Sequence, residues 1–465
     1  MTPESQPRIH GRSAGRLAAP ALAAAILLAA SLAFAACGPT TPSPTPTPSP
    51  TSTASPTAST SPTPSPSRST GPSPSATTSP ADTAVYASIE RDVQQLRGLT
   101  AARPVVPRLI DEAGLKAYID SSLADVPTAQ IASSGALLKA LGLLPPDVDL
   151  SDEFKKLFTT QVAGFYEPET KQLYVVSKQG GLGAVEKVTF AHEFTHALQD
   201  QNHPDFGGTE FQGAASGIIR TANGNSDRSL GELGLVEGDP TLVMTLWASD
   251  HLSPSDLLEL LAAANDPATA QILAEMPPIL RETLMFPYTT GLQLVLDRQL
   301  SGGWPAVDRL YANPPASTEQ LLHPDKYPGD RPVTVELPAD LAARMGAGWS
   351  AAVEDTLGEL QLRVWLESGA DPAAKADADA AAAGWGGDRI ELLQGPNGAW
   401  ALILQTAWDT VRDAAEFTTA AKATIGALGL EGDVLPGMGG KNASVVLASG
   451  PSALGRLANV LGLAG

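Results

Sequence analysis

The chain of 465 residues contains a single cysteine, Cys37. A disulfide framework is thereby excluded, and any folded part must be held by its core. Histidine is scarce too, with six in all, so two of them close together carry weight. Basic residues are outnumbered, 30 Lys and Arg against 50 Asp and Glu, which gives a formal net charge of −20. That balance argues against nucleic acid as a partner, because phosphate binding needs a basic face. No internal repeat is visible, which counts against a solute-binding protein built from two similar α/β lobes. Beyond residue 37 no apolar run is long enough to span a membrane.

What is present begins at the N-terminus. Arg8, Arg12 and Arg16 precede an apolar, small-residue run from Leu17 to Ala36, which ends at Cys37. This is the layout of an export signal, with a positive start, an apolar middle and small residues at the cut. It resembles a bacterial lipoprotein signal, although Phe34 stands where such signals usually carry leucine. The resemblance implies that residues 1–37 are a signal, that Cys37 is lipidated, and that the lipid bilayer is a partner. Of residues 39–80, 37 are Ser, Thr or Pro, and Arg68 carries the one charge. Such a segment cannot bury a core, so 38–80 reads as a disordered, extended stalk. Anchor and stalk place the folded part outside the membrane.

Order is expected from residue 81. Val85, Ile89, Val93 and Leu96 share one face of a helix. "PVVPRLI" predicts a short strand, and "DEAGLKAYIDSSL" a helix. "VAGFY" and "QLYVV" flank a polar turn and predict a hairpin. A helix from about Ala184 to Gln201 follows, then a second over "SDRSLGELGLVEGDPTLVMTLWASD", weakened by Gly238 and Pro240. Further helices fill the stretch to residue 340. From 341 the pattern changes to a long helix, a strand–PNG–strand hairpin, another helix, a strand and a short closing helix. Residues 341–465 therefore read as a small α+β domain, with Trp385, Trp400 and Trp408 in its core.

The stretch that carries chemistry is "TFAHEFTHALQDQ", residues 189–201. His192 and His196 are four apart, so a helix places both rings on one face, one turn apart. Neutral imidazole is a preferred zinc ligand, and Glu193 lies next to the first histidine. At ordinary residue frequencies a bare H-E-x-x-H arises in on the order of 1 % of chains this long, so context decides. Here the flanks from Thr189 to Leu198 carry no further charge, as a helix running through the interior requires. Position 199 is Gln and position 202 Asn, with His203 one place too late for a third histidine of the metzincin spacing. The third ligand must come from elsewhere. Glu237, between Val236 and Gly238 in an apolar stretch, is costly to bury unless paired or metal-bound. Its small neighbour Gly238 would let two helices approach closely. Glu232 and Asp239 are its rivals, and Asp200 and Asp239 are candidates to orient a ligand.

"HEFTHALQDQ" followed by "LVEGDPTLV" resembles the gluzincin-type zinc metallopeptidases, including bacterial lipoprotein-like members that share "FPYTTGLQLV" and "WPAVDRLYANPPASTEQLLHPDKY". The likeness covers roughly residues 85 to 330. It implies an α+β, zincin-like fold over 81–340, predominantly helical with a small edge sheet. It also implies Zn2+ held by His192, His196 and Glu237, and a zinc-activated water attacking a peptide bond with Glu193 as general base. His323 and Tyr288 are the candidates to stabilise the developing oxyanion. One departure stands out: many gluzincins carry an acid four residues after the zinc glutamate to support a histidine, and here that position is Thr241. A peptidase acting on protein or peptide substrates is the leading expectation. A catalytically inactive zincin-fold module for binding or assembly is the alternative, against which the intact Glu193 speaks.

Overall fold

A computed structural model describes residues 80–124, 127–168, 170–177, 182–203, 224–369, 375–437 and 439–462. The export signal, Cys37 and nearly all of the Ser/Thr/Pro stalk lie outside the described residues. Among those described, no helix is long and apolar enough to cross a membrane.

The fold mixes helices with two sheets, so the α+β class holds. The first part begins with α1 (Pro80–Arg97), β1 (Pro107–Ile110), α2 (Glu112–Ala124), α3 (Thr128–Ala140) and α4 (Leu150–Gln161). The hairpin β2 (Gly164–Glu167) and β3 (Gln172–Val176) leads to the motif helix α5 (Ala184–Asn202) and the long α6 (Ser226–His251). Then come α7 (Pro254–Ala264), α8 (Pro267–Glu275) and α9 (Pro278–Phe286), followed by a π-helical turn at Pro287–Gly291. Helices α10 (Leu292–Gly302), α11 (Trp304–Ala312) and α12 (Glu319–Leu322) complete this part. The second part runs α13 (Leu341–Met345), β4 (Ser350–Asp355), α14 (Gly358–Ser368), α15 (Lys375–Ala382), β5 (Trp385–Gln394) and β6 (Trp400–Trp408). It closes with α16 (Val411–Leu428), β7 (Glu431–Pro436), β8 (Asn442–Ala448) and α17 (Pro451–Leu461).

The first sheet has the order β1-β3-β2, with β1 parallel and β2 antiparallel to the central β3. The expected hairpin thus forms, and β2 is an edge strand lying along α5. The second sheet, β4-β5-β6-β8-β7, is antiparallel throughout. Its β5–β6 connection uses Asn397 and Gly398 at φ 59° and 76°, the left-handed pair that a tight hairpin needs. Strands β4 and β7, the two edges, carry weak β patterns and were not foreseen. Trp385 and Trp408 are buried, and Trp400 is half-buried.

The core crosses the boundary drawn at residue 340. One buried cluster joins Leu115, Leu137, Phe165 and Ile279 to Trp365, Leu392 and Leu402 of the second part. The Trp365 indole N–H donates to the Leu141 carbonyl at 3.1 Å within it. A second cluster lies beneath the motif helix, where Phe190 and Phe194 pack with Tyr86, Val243 and Trp247. Every residue of α5 from Val188 to Gln199 is buried, which explains its uncharged flanks. Helix α6 continues without a break through Pro240. Gly238 does serve a close approach, but to the π-helical turn rather than to α5. A Cβ on Gly238 would stand 2.5 Å from the Gly291 carbonyl carbon, and one on Gly291 would stand 2.2 Å from Gly234 O.

Candidate metal centre

Helix α5 lays His192 and His196 on the face turned toward α6, and the α6 side chain that meets them is Glu237. His192 Nε2 lies 3.1 Å from His196 Nε2 and 3.2 Å from Glu237 Oε2. His196 Nε2 lies 3.3 Å from the same oxygen. All three residues are buried, and together they form a group able to hold a metal ion. The rivals for the third position are engaged elsewhere. Arg228 Nε donates to Glu232 at 2.8 Å. Arg97 grips Asp239 through two nitrogens at 2.8 and 3.0 Å. Of the three acids, Glu237 is the one that faces the histidines.

Charge follows from burial and neighbours. Burial alone would raise the Glu237 carboxyl, but the two histidines outweigh it and hold the group down at about 2. Burial likewise works against a charged His196, yet Glu237 and Glu193 lift it to about 9. For His192 burial wins and its pKa falls. Without a metal the pocket therefore balances one imidazolium against one carboxylate. Glu193 is fully buried and neither of its oxygens has a well-formed hydrogen bond. Burial pushes it up to about 8, with the Tyr166 backbone opposing.

Tyr288 sits on the π-helical turn, a form of backbone that recurs at functional sites. Its ring centroid is 6.4 Å from that of His192. Its hydroxyl is buried without a well-formed hydrogen bond, and burial beside Glu237 and Glu193 raises its pKa well above the usual tyrosine value. His323 is differently placed. Its Nε2 is 2.8 Å from Glu359 Oε1 of α14, in the neighbourhood of Lys326 and Glu319. Of the two oxyanion candidates, Tyr288 is thus the one beside the triad.

The proposed orienters also separate. Asp200 accepts from the Tyr166 hydroxyl at 2.7 Å and pairs with Lys171 at 2.8 Å, pinning α5 to the β2–β3 hairpin. Asp239 reaches His196 indirectly, through Tyr311 and Gln199. Gln199, Tyr311 and Arg97 were not singled out from sequence. No sequence signal marked Gln199, which opens the polar run Gln199–Asp200–Gln201–Asn202 at the end of α5. His203 stacks on Tyr311 with centroids 3.9 Å apart.

Residues 344–450 match a domain of unknown function (DUF8575), a stretch that excludes the triad. No curated protein and no solved structure matches the chain.

Proposed function

We propose that this protein is a zinc-dependent peptidase with a gluzincin-type centre on a zincin-like fold, tethered to the membrane through Cys37 and acting outside the cell on protein or peptide substrates. The observation that carries the reading is the spacing of three buried lone-pair donors, 3.1 to 3.3 Å apart, beside a buried carboxylate with no well-formed hydrogen bond. Donors about 2.0–2.1 Å from a tetrahedral zinc stand roughly 3.3 Å from one another, so the residues fit the ion.

His192, His196 and Glu237 are the residues that would hold the metal. Zinc, when bound, activates a water molecule and polarises the carbonyl under attack. Glu193 takes the proton of the attacking water and returns it to the leaving amine. Burial raises its pKa above the usual carboxylate range, the direction that favours a group able both to take and to return a proton. The Tyr288 hydroxyl, beside Glu237 and without a well-formed hydrogen bond, donates to the carbonyl oxygen as negative charge develops there. Strand β2 offers its edge for an extended peptide. Gly164 brings that strand against α5, where a Cβ would stand 2.6 Å from Thr189 Cγ2 and 3.5 Å from Glu193 Cγ.

The test is zinc content and casein cleavage in the purified chain, beside Glu193→Gln. The expected result is about one zinc per chain in both, with cleavage lowered by at least about a thousandfold in the variant. Zinc retained without cleavage in the native chain would leave a metal-holding binding module. No zinc after refolding with the metal at neutral pH would sink the site.

A further inference from the structure

Thr241, where many gluzincins place an acid, offers no support to a histidine. Its hydroxyl donates back to the Glu237 carbonyl at 2.6 Å, and His192 Nδ1 is buried with no partner. His196 is held by another route. Its Nδ1 lies 2.8 Å from Gln199 Oε1, three residues along the same helix.

The orientation of that amide follows from its other contacts. Gln199 Nε2 lies 3.0 Å from the Val236 carbonyl oxygen and 2.5 Å from the Tyr311 hydroxyl. A backbone carbonyl only accepts, so the nitrogen must face Val236 and the oxygen must face His196. That oxygen also only accepts, so His196 Nδ1 carries the hydrogen and Nε2 is the atom left for the metal. Tyr311 reinforces the sense. Its own hydrogen goes to Asp239 Oδ2 at 2.8 Å, which leaves a lone pair for Gln199. Asp239 is fixed in turn by the Arg97 guanidinium.

Pro240 explains why the Val236 carbonyl is available. In an unbroken helix that oxygen would accept from the N–H four residues on, which is position 240. Proline has no N–H there, so the carbonyl is freed inside α6 and buried. The Gln199 amide, coming from α5, satisfies it. A proline that would ordinarily weaken a helix thus leaves free the Val236 carbonyl, the acceptor that orients the Gln199 amide of the neighbouring helix.

We propose that Gln199 is the positioning residue of this centre: oriented by the Val236 carbonyl that Pro240 frees and by Tyr311 on Asp239, it fixes His196 as the Nδ1–H tautomer and aims Nε2 at the metal. The proposal rests on the zinc reading above and adds the device by which a neutral amide replaces the missing carboxylate.

The experiment uses the full chain, Gln199→Met, Tyr311→Phe and the double variant. Zinc affinity is read by competition with a chromophoric chelator, the ligand field by the visible bands of the cobalt-loaded chain, and folding by melting of the metal-free chain. Loss of an outer partner to a ligating histidine lowers metal affinity by about 10- to 100-fold, and that loss with shifted cobalt bands is expected for Gln199→Met. A merely structural role would lower the metal-free melting temperature and leave affinity and bands in place. Tyr311→Phe should lose less, and adding it to Gln199→Met should cost little more, because the two act in series. If Gln199→Met does not fold, Tyr311→Phe decides: a loss of about threefold or more supports the chain of contacts, and none overturns it. Native chain that takes zinc while Gln199→Met binds within about twofold of it overturns the positioning alone. Native chain that takes no zinc overturns the site and the positioning together.

Discussion

Two clusters of metal-competent side chains exist among the described residues, and they are opposites. In the first, His192, His196 and Glu237 converge in the interior, and no lysine or arginine bonds to them among the described residues. In the second, Glu319, Asp330 and Asp409 surround Lys326, whose Nζ lies 2.5, 3.4 and 2.8 Å from them. The second cluster already contains its cation. The comparison teaches that a gathering of ligand-type side chains becomes a candidate site only where no lysine or arginine already sits among them and their lone pairs converge.

The widest separation between the two should appear in zinc affinity. His196→Ala should weaken zinc by on the order of a thousandfold, because a structural ligand contributes several kcal/mol of binding. Glu319→Gln should leave zinc affinity unchanged, as equilibrium dialysis would read. Equal losses in the two variants would erase the distinction. The next effect is on stability. Gly291→Ala would set a Cβ 2.2 Å from Gly234 O, backbone against backbone, beneath the first cluster. Overpacking of that kind costs about 1–3 kcal/mol or more, read from the urea midpoint of the metal-free chain. Gly329→Ala, where a Cβ meets nothing within 4 Å, is the control and should be neutral. If both substitutions are neutral, α6 and the π-helical turn are not in backbone contact.

Lys326→Met strikes the second cluster. Glu319 is 1 % exposed, so removing its cation strands a buried acid. The expected loss is about 1–3 kcal/mol, with zinc binding untouched. A loss below about 0.5 kcal/mol would show the contact to be an ordinary solvated pair.

Much of the first cluster was legible because its signals are local. Spacing of four places two histidines on one helix face, and an uncharged run declares that the helix is buried. Glu237 stood out as an acid among Leu235, Val236, Leu242 and Val243. The hairpin and the PNG turn were legible for the same reason. The rest depends on partners far apart in the chain. Arg97 meets Asp239 across 142 positions, and Gln199 meets Tyr311 across 112. Pro240 read as a fault in a helix because its compensating donor comes from another element. The mixed core was hidden too, since periodicity tells which face is apolar but not which segment covers it. The edge strands β4 and β7 escaped because their ladders, not their composition, hold them extended.

The smallest effect is a dependence on pH that belongs to the second cluster. Burial pushes Glu319 up from 4.5 to about 7, with Lys326 pulling against it. Between those values the folded chain holds a proton on Glu319 that the unfolded chain has released. Stability from this group is therefore greatest below about pH 4.5 and falls as pH rises toward 7. Lys326→Met removes the cation that restrains the shift, so Glu319 moves higher still and the decline continues past neutrality. The stability gap between native and variant should accordingly hold steady up to about pH 7, where both decline alike, and widen from there to pH 8.5, as paired urea titrations would measure. A gap of constant size would mean that Lys326 contributes packing rather than charge. The second cluster would then differ from the first by more than a cation.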